Sequence, residues 1–318
     1  MTDAAPTTPA PTTAVLDPEL VPLAAQAPAF VLNDVSVQAM RAQGLGAAAP
    51  QLSDAVERTE HVVSEDPRVV VRVHRPKGVT GPLPLVYSIH GGGYIFGSYD
   101  MDDPKFDRWC PTFGCIGVSV EYRLAPETPY PGPLEDCYVG LKWAWDHRAE
   151  LGIDESRVVI TGVSAGGGLC AGLALLVRDR GEIPVTHQLL ECPMIDDRQV
   201  TSSSRLDDLL IWSRESNTYG WRAYLGARYG SDDIPAYAAP TRATDLSGLP
   251  EALVIVGGAD GFRDEDIAYA TRLMQAGVPT ALHVVPGAPH GVQMFAGSQP
   301  ARTWATLVEA WLGRALAR

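Results

Sequence analysis

Val158-Val159-Ile160-Thr161-Gly162-Val163-Ser164-Ala165-Gly166 is the stretch that decides the fold of this 318-residue chain. Its first four residues are a short uncharged run that reads as a buried strand. From Ala165 to Arg178 small and apolar residues read as a helix. The two meet in a G-x-S-x-G turn, where glycines remove the Cβ atoms that a sharp strand-to-helix reversal would drive together. A serine hydroxyl attacks poorly unless it is held exposed and given a base. This turn does the first, and it sets the free N–H groups of the helix beside the oxygen. An ordinary βα turn of small residues can carry the same five letters. The strand before and the helix after make Ser164 the candidate nucleophile.

Outward from this turn the chain keeps one rhythm. Short apolar runs at residues 69–73, 85–89, 116–120 and 253–256 read as strands, and Val284 and Val285 belong to one more. Helices are expected at 134–150, 264–276 and 301–316; in the first, Leu134, Cys137, Tyr138, Leu141 and Trp145 form one apolar stripe. Such alternation predicts an α/β fold with a mainly parallel central sheet and helices on both faces. Residues 196–245 break the rhythm, being Thr- and Ser-rich and then carrying Trp and Tyr, and read as an insertion over the sheet. At the other end, residues 1–16 are too rich in Thr, Ala and Pro to order themselves and read as a disordered tail. Asp17-Pro18 is a helix start whose Leu20, Val21 and Leu23 need a partner; a second short helix is expected over 35–41. With the sheet expected to begin near residue 69, that partner is expected to be the 196–245 insertion.

His90-Gly91-Gly92-Gly93 follows the run at 85–89. Three successive glycines let the backbone approach a ligand and turn its N–H groups toward a developing oxyanion. A phosphate cradle would need GxxxxGK[ST] or GxGxxG in context, and neither is present. Among seven histidines, His290 stands in a loop just past a strand end, in Pro286-Gly287-Ala288-Pro289-His290-Gly291, where open α/β sheets gather reactive groups. His74 and His283 sit in strand-like alternation and read as structural, and His147 lies on a charged helix. Asp260 closes the run at 253–256, whereas Asp264, Glu265 and Asp266 read as first-turn carboxylates that complement a helix dipole. The order Ser164, Asp260, His290 is the one used by serine hydrolases built on such sheets.

Composition removes other classes. The formal net charge of −13 leaves no basic footprint for nucleic acid and disfavours anionic membranes. No apolar run approaches the ~20 residues of a membrane span, and the start has neither the basic nor the apolar region of a signal peptide. Five cysteines, with no pair at CxxC spacing, fit a reducing compartment and a cytoplasmic protein. There is no HExxH, no Cys cluster, and no histidine near Asp196-Asp197, so neither metal nor cofactor is expected.

From about residue 60 onward, and more faintly through 17–45, the sequence resembles the hormone-sensitive-lipase-like group of α/β-hydrolases, which includes bacterial carboxylesterases. The likeness rests on His90–Gly93, Glu121-Tyr122-Arg123-Leu124-Ala125-Pro126-Glu127 with Pro131 and Glu135-Asp136, Gly162–Gly167, Asp260 with Arg263-Asp264-Glu265, and Pro286-Gly287 before His290-Gly291. It implies an α/β-hydrolase fold with a helical cap from residues 17–48 and 196–245, over a catalytic domain of 49–195 and 246–318. It implies a serine esterase acting on small carboxylic esters through an acyl-enzyme, with an oxyanion hole at Gly92, Gly93 and Ala165. It also implies a structural Arg123, Glu127 and Asp136, and a homodimer by analogy. Amidases, lipases and a receptor-like member without turnover share this family. Two positions depart from its pattern: Val163 replaces a usual polar residue, and Gly261-Phe262 replaces Pro-Leu after the acid.

Overall fold

The uncharged runs become the middle of one eight-stranded sheet in the computed structural model, which describes residues 15–24, 32–43, 51–206 and 209–317. Residues 1–14 of the tail expected at 1–16 lie outside these residues, and its last residue, Leu16, is buried rather than loose. The strands are β1 (Val56–Glu65), β2 (Arg68–Pro76), β3 (Leu83–Ile89), β4 (Ile116–Glu121), β5 (Ile153–Val163), β6 (His187–Glu191), β7 (Glu251–Gly257) and β8 (Thr280–Val285). They lie in the order β1-β2-β4-β3-β5-β6-β7-β8. β2 runs antiparallel to both of its neighbours, and all the other pairs are parallel. Register places Ile89 beside Gly162, Val163 beside Glu191, Glu191 beside Ile255 and Gly257 beside Val285. The loops that follow β3, β5, β6, β7 and β8 therefore open along one edge. That edge carries the site.

The helices are α1 (Val21–Ala24), α2 (Asp34–Gln43), α3 (Asp103–Phe113), α4 (Gly132–Asp146), α5 (Arg148–Leu151), α6 (Ala165–Arg180), α7 (Arg214–Leu225), α8 (Arg263–Gln275) and α9 (Gln299–Leu316). Residues of α4, α6 and α8 pack with Leu85, Tyr87 and Ile160 in one core, which also holds Cys137 and Cys170. Residues of α3 and α9 pack with Val86, Val159 and Ile255 in a second core, with Cys110, Cys115 and Cys192. α9 shows why its sequence lies down as it does. Ser298 caps its first turn by accepting from the Ala301 N–H, and Trp304, Val308, Trp311, Leu312 and Ala315 bury one stripe. Each large side chain contributes about 1.5–3 kcal/mol by leaving water. α6 is buried nearly all round from Ala165 to Val177, as befits a helix covered on both its sheet-facing and outer sides.

Three elements were not anticipated. β1 opens the sheet at residue 56 rather than near 69, and it is an edge strand whose outer residues are half-exposed and charged, so it shows no apolar run. β6 is five residues long, and its Gln188 and Glu191 are buried in spite of their polarity. α3 contains Pro111 and alternates charge with aromatics.

The N-terminal segment also departs from expectation. Leu20 is fully buried, but Val21 and Leu23 stay 40% and 46% exposed. The Asp17 N–H donates to the Gly287 carbonyl at 3.0 Å, and Glu19 Oε2 accepts from the first N–H of α9 at 2.8 Å. These bonds tie α1 to the loop before His290 and to α9, not to the 196–245 insertion. It is α2 that meets the insertion, where the Tyr219 hydroxyl of α7 donates to Asp34 Oδ1 at 2.8 Å. α2 is also pinned below by Arg41, which donates to the Ala125 carbonyl and pairs with Glu127.

Candidate active site

Ser164 follows β5 and caps α6 with a positive φ, 57°, and ψ −121°. Such a backbone persists only where its surroundings hold it. Here the Ser164 N–H donates to the Glu191 carbonyl at 2.8 Å, and the Ser164 carbonyl accepts from Gly168 and Met194, each at 2.9 Å. The turn is too tight for side chains: a Cβ on Gly162 would fall 2.1 Å from the Gly166 carbonyl oxygen, and one on Gly166 2.1 Å from that of Ile89.

His290 reaches Ser164 from the loop after β8. Its Nε2 lies 2.9 Å from Ser164 Oγ, and its Nδ1 lies 2.8 Å from Asp260 Oδ2. With the proton on Nδ1 the imidazole donates to the carboxylate, and Nε2 accepts from the serine hydroxyl. Asp260 Oδ1 accepts from the Phe262 N–H at 2.9 Å, so Gly261-Phe262 holds the carboxylate where the family commonly has Pro-Leu. The Phe262 ring meets the imidazole edge-on, 4.9 Å between centroids. All three side chains are buried.

The loop after β3 lies against the same serine. A Cβ on Gly91 would fall 2.9 Å from the Val163 carbonyl oxygen and 3.5 Å from Ser164 Cβ. Gly92 and Gly93 follow with φ 119° and 61°, and Ala165 opens α6. His90 is buried beneath; its Nδ1–H donates to the Gly91 carbonyl and its ring stacks on Tyr122 at 4.1 Å. Burial lowers its pKa and keeps it neutral.

The remaining candidates fall elsewhere. Asp264 accepts from the Ser203 N–H at 2.8 Å and pairs with Arg263, away from His290. Arg123 binds the buried Asp136 through its backbone N–H and guanidinium. His74 bonds Asp103, and His147 closes α4 on the Trp143 carbonyl.

Two neighbours escaped the sequence reading. Cys192, in the turn after β6, brings its sulfur within 4.8 Å of ligand atoms on Asp260 and His290. This trio is of metal-ligating type, but Asp260 and His290 already bind each other, and burial pushes the Cys192 thiol well above its usual range, so the sulfur is a protonated, poor ligand. Glu191 is the second: Oε2 accepts from the Trp304 indole at 2.6 Å while its carbonyl holds Ser164. Both stand at the end of β6, a short strand with polar letters that gave no sequence signal.

An eight-stranded, mainly parallel sheet with a strand–serine–helix turn, and histidine and aspartate on later loops of the same edge, defines an α/β-hydrolase. The chain belongs to that family, in its hormone-sensitive-lipase-like group: the family model described as alpha/beta hydrolase fold matches residues 85–294. It is 37% identical to Carboxylesterase NlhH of Mycobacterium tuberculosis over 81% of this chain and 82% of that one. It is 34% identical to an Arylesterase of Saccharolobus solfataricus over 80% and 81%. Among solved structures it superposes on Bacterial Heroin Esterase with a TM-score of 0.89 at 39% identity, covering 96% of this chain and all of that one.

Proposed function

We propose that this protein is a serine carboxylesterase hydrolysing short-chain carboxylic esters through an acyl-enzyme, with Ser164 as nucleophile, His290 as base and Asp260 as its orienting acid. The observation that carries this is the unbroken line from Ser164 Oγ through His290 to Asp260, at 2.9 and 2.8 Å. His290 Nε2 takes the hydroxyl proton as Oγ attacks the ester carbonyl carbon. Asp260 holds the tautomer and stabilises the imidazolium. The N–H groups of Gly92, Gly93 and Ala165 hold the oxyanion. Collapse expels the alcohol, protonated by His290, and leaves an acyl-Ser164. Water, deprotonated by the same imidazole, then releases the carboxylic acid and restores the serine. In this reading the cap is built from α2 and the 196–245 insertion, supported by the Tyr219–Asp34 bond between α7 and α2, while the residues before α2 brace the His290 loop and α9. Five free, buried thiols support a cytoplasmic setting, and the family resemblance supports a homodimer, which the solution mass checks.

An organophosphonate adds one equivalent to Ser164, and Ser164→Ala abolishes both labelling and nearly all turnover, a loss of several orders of magnitude, while the fold is kept. Labelling at another serine refutes the assignment. On activated esters the rate peaks between acetyl and hexanoyl chains, with no gain on emulsions; faster hydrolysis of emulsified triolein than of soluble butyrate would make the protein a lipase instead.

A further inference from the structure

One four-residue stretch of the 196–245 insertion touches three of the loops that build the site. A Cβ on Gly261, next to Asp260, would fall 2.9 Å from Leu209 Cδ1. One on Gly291, next to His290, would fall 3.7 Å from Ile211 Cγ2. One on Gly93 would fall 2.1 Å from Trp212 Cη2. Ile211 itself takes φ 73°, a left-handed backbone that a β-branched residue adopts only under constraint. The indole of Trp212 lies in a slot made by two glycines distant in sequence, since a Cβ on Gly220 of α7 would also stand only 3.3 Å from its Cζ2. Its Nε1–H donates to Asn217 Oδ1 at 3.3 Å, which fixes the ring's direction.

We propose that Trp212 is the specificity-determining residue on the acyl side of the site, its rigid ring ending the space beside the oxyanion loop and so limiting the acyl chain. This rests on the esterase reading above. A flat ring with two torsions, seated between two glycines and tied at its nitrogen, yields little to an incoming chain. A side chain at Gly93 is excluded by the same ring, so the oxyanion loop and the chain-length stop are one packed unit.

The test compares kcat/KM over p-nitrophenyl esters from acetate to dodecanoate for the unsubstituted protein, Trp212→Ala and Trp212→Phe. The octanoate-to-acetate ratio is expected to rise by about tenfold or more in Trp212→Ala and by a smaller factor in Trp212→Phe. Trp212→Phe keeps a ring in the slot and carries the test if the alanine variant does not fold. A ratio unchanged in both, or one rate loss common to all chain lengths, overturns the assignment and leaves Trp212 as a prop for the Gly93 loop. Phosphonate labelling of Ser164 in the unsubstituted protein separates the two readings. Labelling with a flat ratio refutes only the role of Trp212, and no labelling refutes the esterase itself.

Discussion

Asp260 and Asp264 stand four residues apart, and their surroundings give them different work. Asp260 is buried, with one oxygen on the Phe262 N–H and the other on His290 Nδ1. An amide there can present its NH2 to the imidazole and favour the wrong tautomer, so Asp260→Asn lowers turnover by about 10⁴ with the fold intact. Asp264 caps the Ser203 turn, and Asp264→Asn changes turnover by less than about threefold while weakening that cap. Steady-state rates on a soluble ester decide between them; the reverse pattern moves the acid to Asp264. At this scale the site was legible because Ser164, Asp260 and His290 each follow a recognisable apolar run, and glycines mark the loops. Cys192 and Glu191 were hidden because β6 is short and keeps buried polar residues, so nothing in its letters announces a strand end. Trp212 was visible only as an aromatic within an insertion, since its partner Gly93 is more than a hundred residues away.

At the scale of elements, α8 carries a pH dependence. Glu265 and Asp266 are buried side by side, and their carboxyl oxygens have no hydrogen-bond partner among the described residues. Burial first, then the charges of Asp196 and Asp260, hold Glu265 well above the usual carboxylate range. Burial, then Glu265 and Asp260, does the same to Asp266. The folded state therefore keeps protons that the unfolded chain releases near pH 4, the usual carboxylate value of about 4. The stability this contributes is full below that pH and is lost as pH rises toward the raised folded values. Glu265→Gln removes its share of the dependence, so its melting midpoint gains on the parent more at pH 8 than at pH 5, by about 2–4 °C for each kcal/mol. An equal gap at both pH values refutes this. The same contrast of charge and burial explains which elements could be read. The stretches 85–89, 116–120, 158–162 and 252–257 of β3, β4, β5 and β7 are buried on both faces and announce themselves by runs without charge. β1 is an antiparallel edge in which charge is tolerated at most positions, so its sequence resembles a polar loop.

For the whole molecule, the N-terminal region acts as a clasp between layers. It supplies the buried Leu20 and Val37, the Asp17–Gly287 bond beside the His290 loop, and the Arg41 contacts to the Ile95 and Ala125 carbonyls. Deleting residues 2–14, which have no apolar periodicity, leaves the melting midpoint and turnover unchanged. Deleting 2–45 removes side chains worth about 1.5–3 kcal/mol each and frees the loop that carries His290, so both the midpoint and kcat fall. Thermal scans and rates on the two truncations check this; equal behaviour would show that the clasp holds nothing. The two cores on opposite faces of the sheet carry different thiols, Cys137 and Cys170 on one side and Cys110, Cys115 and Cys192 on the other. Each layer thus bears its own built-in clock for transient opening. Slow alkylation read by peptide mass would time the α4–α6 layer and the α3–α9 layer separately, and a shared rate would mean that the sheet loses both coverings in one cooperative event.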